Sequence, residues 1–596
     1  MIDTGVGKQK TIKILKSAGS NPLFITVFIY LVSIVIVGCW GNFPSNDDFY
    51  YLTQIKTFSN GIFTKSALIG PTFILQGLMG FLWSKFFGLS YISLRVLTIL
   101  VTIFCIVGLD RVFSVLNVQR KIRTLTLILI TFIPQFYVSS LSFMTENYFL
   151  FYIIWSLYFF LSYIKTRRDR SLLIACILGG LSIMIRQYGV VLLVAYLIVY
   201  VISNLKKINI RKLLLILIPF IVFGCMGLFW PKFKSLGDPK SLNMLLFFAS
   251  VNLFISRVTS TSVLPYIGYL LLPFTASLFL KQRNYIKIFT LAIALPMSYE
   301  FFKIDVFKLR NLFYLEGFYA RLMVNIRENL FNNTLFKLFL SYLISVSLLA
   351  IAFYLIDKLI GKIKDTKNKG VAVAKANINF HKLTLLLLIL GFYVIAVVTD
   401  RVFDRYLVNF FIILLIYVAT SAQERGFSIH WTTILMTAFI CVVTFFLSFH
   451  HYRELQLKWK FADKLMAMGV GKYQIFIDNV YARTAYMELI NNYDGRYAAK
   501  PENYDPICFV QEYVKQQSNA LNSLIVYVNN RAFVRKYFAN PTVLNAGLLK
   551  ERSNHFDSTD ILMIDEEYPS PVYNLLGKRT FVRAFCTEPI QKVKGI

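Results

Sequence analysis

The chain has 596 residues, of which 57% are apolar, and its 63 Lys and Arg against 31 Asp and Glu give a net charge of +32. Its mean hydropathy is +0.59. Repeated apolar runs of about 18 residues or more indicate membrane-spanning helices and exclude a water-soluble protein. The basic residues lie in short clusters between these runs, a positive-inside pattern typical of membrane proteins rather than of nucleic-acid binding. Anionic membrane lipids are the expected partners of those clusters.

The first apolar run extends from about Leu23 to Trp40 and is preceded by four lysines within residues 1–20. These lysines predict a cytoplasmic N-terminal tail, and the lack of a small-residue cleavage site favours an uncleaved span. Residues 42–90 then form the predicted first extracytoplasmic loop. Within this loop, Thr72 to Phe87 is more apolar, and we expect interfacial helices there rather than a further span.

Alternating apolar runs and basic clusters predict an α-helical polytopic protein with about thirteen transmembrane helices between residues 21 and 449. The predicted spans end, in chain order, near Trp40, Val115, Phe143, Lys165, Ile185, Lys206, Trp230, Lys281, Phe302, Lys358, Asp400, Glu424 and Phe449. The fourth span is predicted to begin at Tyr148. An odd number of spans places the N-terminus in the cytoplasm and the C-terminus outside.

The sequence changes character near residue 450, where charged residues, Asn and Tyr become frequent and long apolar runs stop. The short apolar runs Leu524–Val528 and Ile561–Ile564 predict strands, and Phe461–Met468 predicts a helix. Residues 450–596 are therefore predicted to form a small extracytoplasmic α/β domain, within the usual size range of domains.

Two adjacent acids, Asp47 and Asp48, follow the first span in a chain where acids are scarce. An acidic pair at the mouth of a membrane helix favours a functional site. The alternative is a solvated loop in which Asn and Asp serve as turn formers.

The predicted topology brings further polar residues to the same outer face, and each has a structural alternative. Glu146 could cap the fourth helix, because acids favour helix N-termini. Arg186 interrupts an apolar stretch, which favours a function, although its side chain could snorkel to the headgroups. Arg401 and Arg405 could be interface anchors, with Tyr406 in the aromatic belt.

These residue types suit glycosyl transfer from a lipid-phosphate sugar. A carboxylate can act as general base on the acceptor, and arginines can stabilise the charge that develops on the departing lipid phosphate. One inverting displacement needs a single base, so a second carboxylate is left to orient the acceptor or to hold a divalent cation. No ligand spacing typical of zinc is found, so a metal is left open.

The chain resembles the C-type-fold (GT-C) membrane glycosyltransferases, closest to the family 39-like branch of protein O-mannosyltransferases and aminoarabinose lipid A transferases. That family carries Asp-Glu-x-x-Tyr in its first extracytoplasmic loop. Here Asp47, Asp48 and Tyr51 match, with Asp in place of Glu. Other similar segments are Asn60-Gly61, Phe87-Gly88, Leu94-Arg95, Thr145-Glu146, Ile185-Arg186-Gln187 and Arg405-Tyr406. The family's Pro-rich continuation after the last Tyr is missing.

The resemblance implies that Asp47 is the catalytic base or an acceptor-binding acid. It implies an acceptor or cation site at Asp48 and Glu146, and donor-phosphate binding by Arg186, Arg405 and Tyr406. Weaker candidates are Tyr51, Arg95 and Arg401. The implied reaction moves a hexosyl or pentosyl group from a polyprenyl-phosphate sugar to a lipid, glycan or protein acceptor. The expected location is the outer face of a bacterial plasma membrane, with the endoplasmic reticulum as the eukaryotic alternative.

Two other functions remain open at the level of sequence. A lipid-linked saccharide flippase or transporter would place ionisable residues near the membrane midplane and often show inverted repeats, whereas the charges here lie at span ends. An enzyme of the O-antigen polymerase or ligase type would be expected to carry its key residues in a large late loop.

Overall fold

The computed structural model describes most of the predicted membrane region and short parts of the C-terminal region. The described residues are 21–45, 47–61, 63, 69, 72–205, 208–234, 263–304, 334–368, 379–398, 404–424, 427–467, 475–476, 526–528, 561–568 and 580–586. The predicted N-terminal tail and Arg401 lie outside these residues.

The chain divides into two compact units. The first unit comprises Met1–Ile36, Thr64–Met79 and Val96–Phe445. The second unit comprises Val37–Phe63, Gly80–Arg95 and Phe446–Ile596.

Helices dominate the described part of the chain. They are α1 (Pro22–Val37), α2 (Asp48–Ser59), α3 (Ile74–Phe87), α4 (Tyr91–Val115), α5 (Arg120–Thr131), α6 (Pro134–Ser140), α7 (Thr145–Thr166), α8 (Asp169–Ile183), α9 (Val190–Ser203), α10 (Ile210–Lys234), α11 (Val263–Lys281), α12 (Asn284–Ile304), α13 (Thr334–Asn368), α14 (Phe380–Val398), α15 (Val408–Glu424) and α16 (Trp431–Ala467). Short 3-10 turns at Gln187–Gly189 and Asp404–Leu407 precede α9 and α15.

Seven of the described helices are long and apolar enough to cross a membrane, or eight if the bent pair α5 and α6 forms one broken span. The axes of α5 and α6 differ by 64°. Pro134 begins α6, where its missing N–H and fixed φ suit a helix start but not the continuation of α5. These helices establish an integral membrane protein, and the count of about thirteen spans stays a prediction.

Two predicted span boundaries differ from the ends of the helices. α7 begins at Thr145, whereas the fourth span is predicted to begin at Tyr148, and this places Glu146 in the first turn of the helix. α16 continues past the predicted span end at Phe449 to Ala467, and its last residues coincide with the predicted helix Phe461–Met468. No Gly or Pro occurs within α16 to stop it. The buried residues Tyr452 and Leu455 also continue a helical spacing beyond the apolar run.

The described residues of the C-terminal region include four short strands, which form a sheet. They are β1 (Ile475–Phe476), β2 (Val526–Val528), β3 (Ile561–Tyr568) and β4 (Thr580–Cys586), in the order β1-β2-β4-β3. β1 is parallel to β2, whereas β4 is antiparallel to both β2 and β3. The two predicted strands correspond to β2 and β3, and the α/β domain as a whole stays a prediction.

Candidate active site

A helical hairpin positions Arg186 beside Thr145 and Glu146. α7 has 22 residues, α8 has 15, and the chain reverses between them at Arg167, which adopts a left-handed conformation. Helices of these lengths span about 33 and 22 Å, so α8 alone ends short of the start of α7. The residues after Ile183 and the long side chain of Arg186 make up the difference.

The backbone before Arg186 is fixed by hydrogen bonds to the segment that leads into α3. The amides of Phe73 and Leu75 donate to the carbonyls of Ile185 and Met184, at 3.2 and 3.3 Å. The first amides of a helix have no partner within the helix, so these bonds satisfy donors at the start of α3. Arg186 itself is extended, with φ −144° and ψ 134°. These backbone hydrogen bonds and the extended conformation of Arg186 together fix the position from which its side chain extends.

Arg186 forms a buried ion pair with Glu146. Its Nη2 lies 2.6 Å from Glu146 Oε1, and its Nε donates to Thr145 Oγ1 at 2.9 Å. Nη2 also contacts Thr145 Oγ1. Only 6% of Arg186 and 2% of Glu146 is exposed. Burial of ions without partners is strongly unfavourable, and the pairing of these two groups offsets part of that cost. The carboxylate also lies in the first turn of α7, where the helix dipole favours a negative charge.

A second arginine joins the pair from a distant part of the chain. Arg405 lies in the 3-10 turn Asp404–Leu407, and its Nε is 3.6 Å from the same Glu146 Oε1. The Tyr406 ring contacts both guanidinium groups, at 5.2 Å from Arg186 and 5.5 Å from Arg405. Tyr188 packs edge-on against Tyr406, with ring centroids 6.3 Å apart. We call Thr145, Glu146, Arg186, Arg405 and Tyr406 the arginine cluster.

The arginine cluster has the chemistry of an anion site. One carboxylate faces two guanidinium groups, so its three charged side chains carry a net positive charge. In a buried setting this charge acts at low effective dielectric and attracts an anion more strongly than it would in water. Guanidinium groups present several N–H donors in a plane, a geometry that matches phosphate oxygens.

The acidic pair Asp47 and Asp48 belongs to the second unit, and the two side chains differ in environment. Asp48 begins α2 and is 2% exposed, and its carboxylate accepts hydrogen bonds from the Ser45 amide at 2.9 Å and the Ser45 hydroxyl at 3.4 Å. Asp47, at the N-cap of α2, is partly exposed and makes no side-chain cap hydrogen bond. Tyr51 follows on α2 and is 4% exposed. Asp48 thus shapes the loop, whereas the carboxylate of Asp47 is the more accessible of the two.

Arg95, one of the weaker candidates for the site, binds backbone in the structure. It is 1% exposed, and it donates to the carbonyls of Cys39, Gly41 at 2.9 Å and Phe43 at 3.0 Å. Its guanidinium group also lies over the rings of Phe43 and Tyr452, at 5.4 and 5.7 Å. These contacts fix the segment that leads into the acidic pair, which makes Arg95 a positioning residue of the loop.

The structure therefore gathers four of the predicted site residues into one cluster: Glu146, Arg186, Arg405 and Tyr406. Asp47, Asp48, Tyr51 and Arg95 belong to the other unit. Sequence reasoning missed Thr145 and Tyr188 as contact residues, although each lies within two positions of a predicted residue. Among the described residues, no three His, Cys, Asp or Glu side chains lie close enough together to hold a metal ion.

One protein family matches part of the chain. Residues 77–230 match the model of the dolichyl-phosphate-mannose-protein mannosyltransferase family. The predicted resemblance to the C-type-fold glycosyltransferases is confirmed by this match. The matched segment contains Glu146 and Arg186, which form the buried ion pair. No curated protein matches the sequence.

Two solved structures are similar to the chain at low identity. A crystal structure of ArnT from Cupriavidus metallidurans bound to undecaprenyl phosphate is 14% identical, covers 94% of this chain and 97% of that chain, and has a TM-score of 0.39. The apo structure of the same protein is 12% identical, covers 95% and 97%, and has a TM-score of 0.37. Values this low do not transfer residue roles or ligands to this chain.

Proposed function

We propose that this protein is an integral-membrane glycosyltransferase that uses a polyprenyl-phosphate sugar as donor. It transfers a hexosyl or pentosyl group to a lipid, glycan or protein acceptor at the extracytoplasmic face of a bacterial plasma membrane. The arginine cluster carries the proposal, because a buried, net-positive pair of guanidinium groups suits a lipid-linked phosphate. The family that matches residues 77–230 is named for dolichyl-phosphate-mannose, a donor of this chemical class.

In the proposed reaction, Arg186 and Arg405 hold the donor phosphate and stabilise the charge that it gains as the leaving group. Glu146 and the Tyr406 ring keep both guanidinium groups oriented toward it. Asp47 accepts the proton of the acceptor hydroxyl as that oxygen attacks the anomeric carbon and the bond to phosphate oxygen breaks. The predicted divalent cation at Asp48 stays a prediction.

The test is donor consumption by purified wild type, Asp47→Asn and Arg186→Lys, with radiolabelled polyprenyl-phosphate sugars and a membrane lipid extract as the source of acceptor. Wild type should consume one donor. Asp47→Asn should keep donor binding but lose about 100-fold or more in rate, as expected for a general base. Arg186→Lys should weaken donor binding about tenfold, because Lys cannot reproduce the planar contacts of Arg.

A matched control is Lys212→Gln, which removes a cation from the partly exposed Lys212–Asp169 pair. It should leave donor binding and turnover at wild-type values. Full donor consumption by Asp47→Asn would contradict the proposed base, and unchanged donor binding in Arg186→Lys would contradict the phosphate site.

The second candidate is a flippase for lipid-linked saccharides. The break between α5 and α6 favours it, because transporters often bind substrate at discontinuous helices. Proteoliposomes with a fluorescent lipid-linked saccharide distinguish the two functions. Net translocation without sugar transfer would favour the flippase, and transfer without translocation would favour the enzyme.

A further inference from the structure

Gln135 is an unusual buried residue of the first unit. Its side chain is 0% exposed, and neither its amide nitrogen nor its amide oxygen has a hydrogen-bond partner among the residues that the structure describes. Burial of a polar group without a partner is unfavourable, so such a group in a protein calls for an explanation, for example an absent ligand.

Gln135 lies on a helix that packs against two elements of the arginine cluster. It is the second residue of α6, directly after the break that separates α6 from α5. α6 packs against α7, which begins with Thr145 and Glu146, and against the 3-10 turn that carries Arg405. α6 therefore contacts the helix that carries Glu146 and the turn that carries Arg405.

Asn147 on α7, one residue after Glu146, is also buried and has one polar atom without a partner among the described residues. It is 0% exposed, and its Nδ2 donates to Thr102 Oγ1 at 2.7 Å and to the carbonyl of Phe136 at 3.5 Å. Its Oδ1 has no partner within the described part of the chain. The bond to Phe136, the neighbour of Gln135, ties Asn147 to α6.

Two further side chains with buried, unpartnered polar atoms lie in, or bond to, the segment just before Thr145. Gln76 Nε2 donates to the carbonyl of Phe143 at 3.4 Å, while Gln76 Oε1 has no partner among the residues described. Ser142 Oγ is likewise buried and unpartnered there. Both lie within a few residues or one hydrogen bond of the start of α7. We call Gln76, Gln135, Ser142 and Asn147 the amide group.

We propose that the amide group binds the hydroxyl groups of an uncharged sugar on the lipid-linked donor. This inference rests on the proposed function, which places the donor phosphate at Arg186 and Arg405. Carboxamides and hydroxyls offer both donors and acceptors, which is what the hydroxyl groups of a sugar require. The amide group carries no charge, and the neighbouring guanidinium groups disfavour an ammonium, so an amino sugar fits this site less well.

The test compares binding of bare undecaprenyl phosphate and of its glucosyl, mannosyl and aminoarabinosyl forms to full-length protein in nanodiscs, without acceptor. In Gln135→Leu, affinity for the bare phosphate should be unchanged, and affinity for the preferred uncharged sugar form should fall about tenfold. The melting temperature should rise, because Leu removes a buried unpartnered amide from a residue of similar size. Loss of binding together with higher stability is a combination that a structural role for Gln135 does not produce.

Thr433→Val is the matched control. Thr433 on α16 is 0% exposed, and its hydroxyl is unpartnered among described residues. This variant should also gain stability but should bind every donor as wild type does. Donor analogues lacking one hydroxyl supply a measurement on wild type alone, which decides the question even if Gln135→Leu does not fold. At least one deoxy sugar should bind about fivefold more weakly or worse, which corresponds to the loss of about one hydrogen bond.

Several outcomes would overturn the inference. Equal binding of the sugar-linked donor by wild type and Gln135→Leu, or equal binding of all deoxy sugars by wild type, overturns it and leaves the proposed function intact. Preference for the aminoarabinosyl donor contradicts the uncharged sugar. If wild type binds neither bare nor sugar-linked undecaprenyl phosphate, the proposed function fails first and this inference with it.

Discussion

Arg186 and Arg95 are both buried, but they have different kinds of partners. Arg186, in the first unit, contacts the carboxylate of Glu146 and the hydroxyl of Thr145, and a second guanidinium group shares that carboxylate. Arg95, in the second unit, donates to backbone carbonyls of the segment 39–43. The neutral carbonyls do not cancel the charge of Arg95, but they occupy its Nη1 and Nη2 atoms with fixed backbone acceptors. Glu146 is a single side chain shared by two guanidinium groups, so we expect that pair, rather than Arg95, to bind an anionic ligand.

The largest effect that this difference predicts is that of Glu146→Ala. The substitution leaves Arg186 and Arg405 close together inside the protein without their shared carboxylate. Removal of one partner from a buried ion pair typically destabilises by about 3–5 kcal/mol. Unfolding in mixed-detergent titrations should show a loss of this size.

The control is Asp169→Ala, which removes the carboxylate of the partly exposed pair with Lys212. Surface pairs contribute about 0–1 kcal/mol, so this variant should unfold almost as wild type does. Comparable losses in the two variants would mean that Glu146 does not compensate two buried charges.

The next effect is that of Arg95→Met, which keeps the apolar stem but removes the donors to three carbonyls. We expect a loss of about 2–4 kcal/mol in the free energy of unfolding, because buried carbonyls lose charged donors. Hydrogen exchange should increase across residues 39–47. Binding of bare undecaprenyl phosphate by the folded fraction should be unchanged, and a selective loss of that binding would contradict a purely positioning role for Arg95.

A smaller effect separates the two acids of the second unit. Asp48→Ala removes the acceptor of the Ser45 amide and hydroxyl, so we expect a loss of about 1–2 kcal/mol. Asp47→Ala, at the partly exposed neighbour, should change the free energy of unfolding by less than about 1 kcal/mol. Activity should show the reverse order, with Asp47→Ala the more inactive variant. Equal effects of both variants on stability would contradict the structural role of Asp48.

Hydropathy and charge predict the helical membrane region because apolar length and basic clusters are local properties of the sequence. They fail where the outcome depends on packing. α7 begins before its apolar run, since Thr145 and Glu146 are buried by contact with Arg186. α16 continues past its apolar run, since Tyr452 and Leu455 are buried by contacts that only the fold creates.

The arginine cluster was partly predictable, because some of its residues are recognisable from local sequence. A charged residue within an apolar stretch stands out in sequence, which identifies Arg186 and Glu146 as candidates. Topology alone then predicts that helix ends meet at one face. The amide group is different, because Gln135 and Asn147 look ordinary in sequence. Only the structure shows that their polar atoms are buried without partners.

The smallest effect concerns the Tyr406 ring, which contacts both guanidinium groups of the arginine cluster. Cation–π contacts contribute about 0.5–1 kcal/mol at partly exposed sites, so Tyr406→Leu should weaken binding of undecaprenyl phosphate several-fold. Tyr406→Phe keeps the ring, and the difference between the two variants isolates its contribution from that of the hydroxyl. If both variants bind alike, the ring does not orient the arginines, and the ion pairs with Glu146 must set their positions alone. Arg95 also lies over aromatic rings, yet its described polar contacts are all backbone carbonyls. The difference between the two buried arginines would then depend on the carboxylate of Glu146 alone.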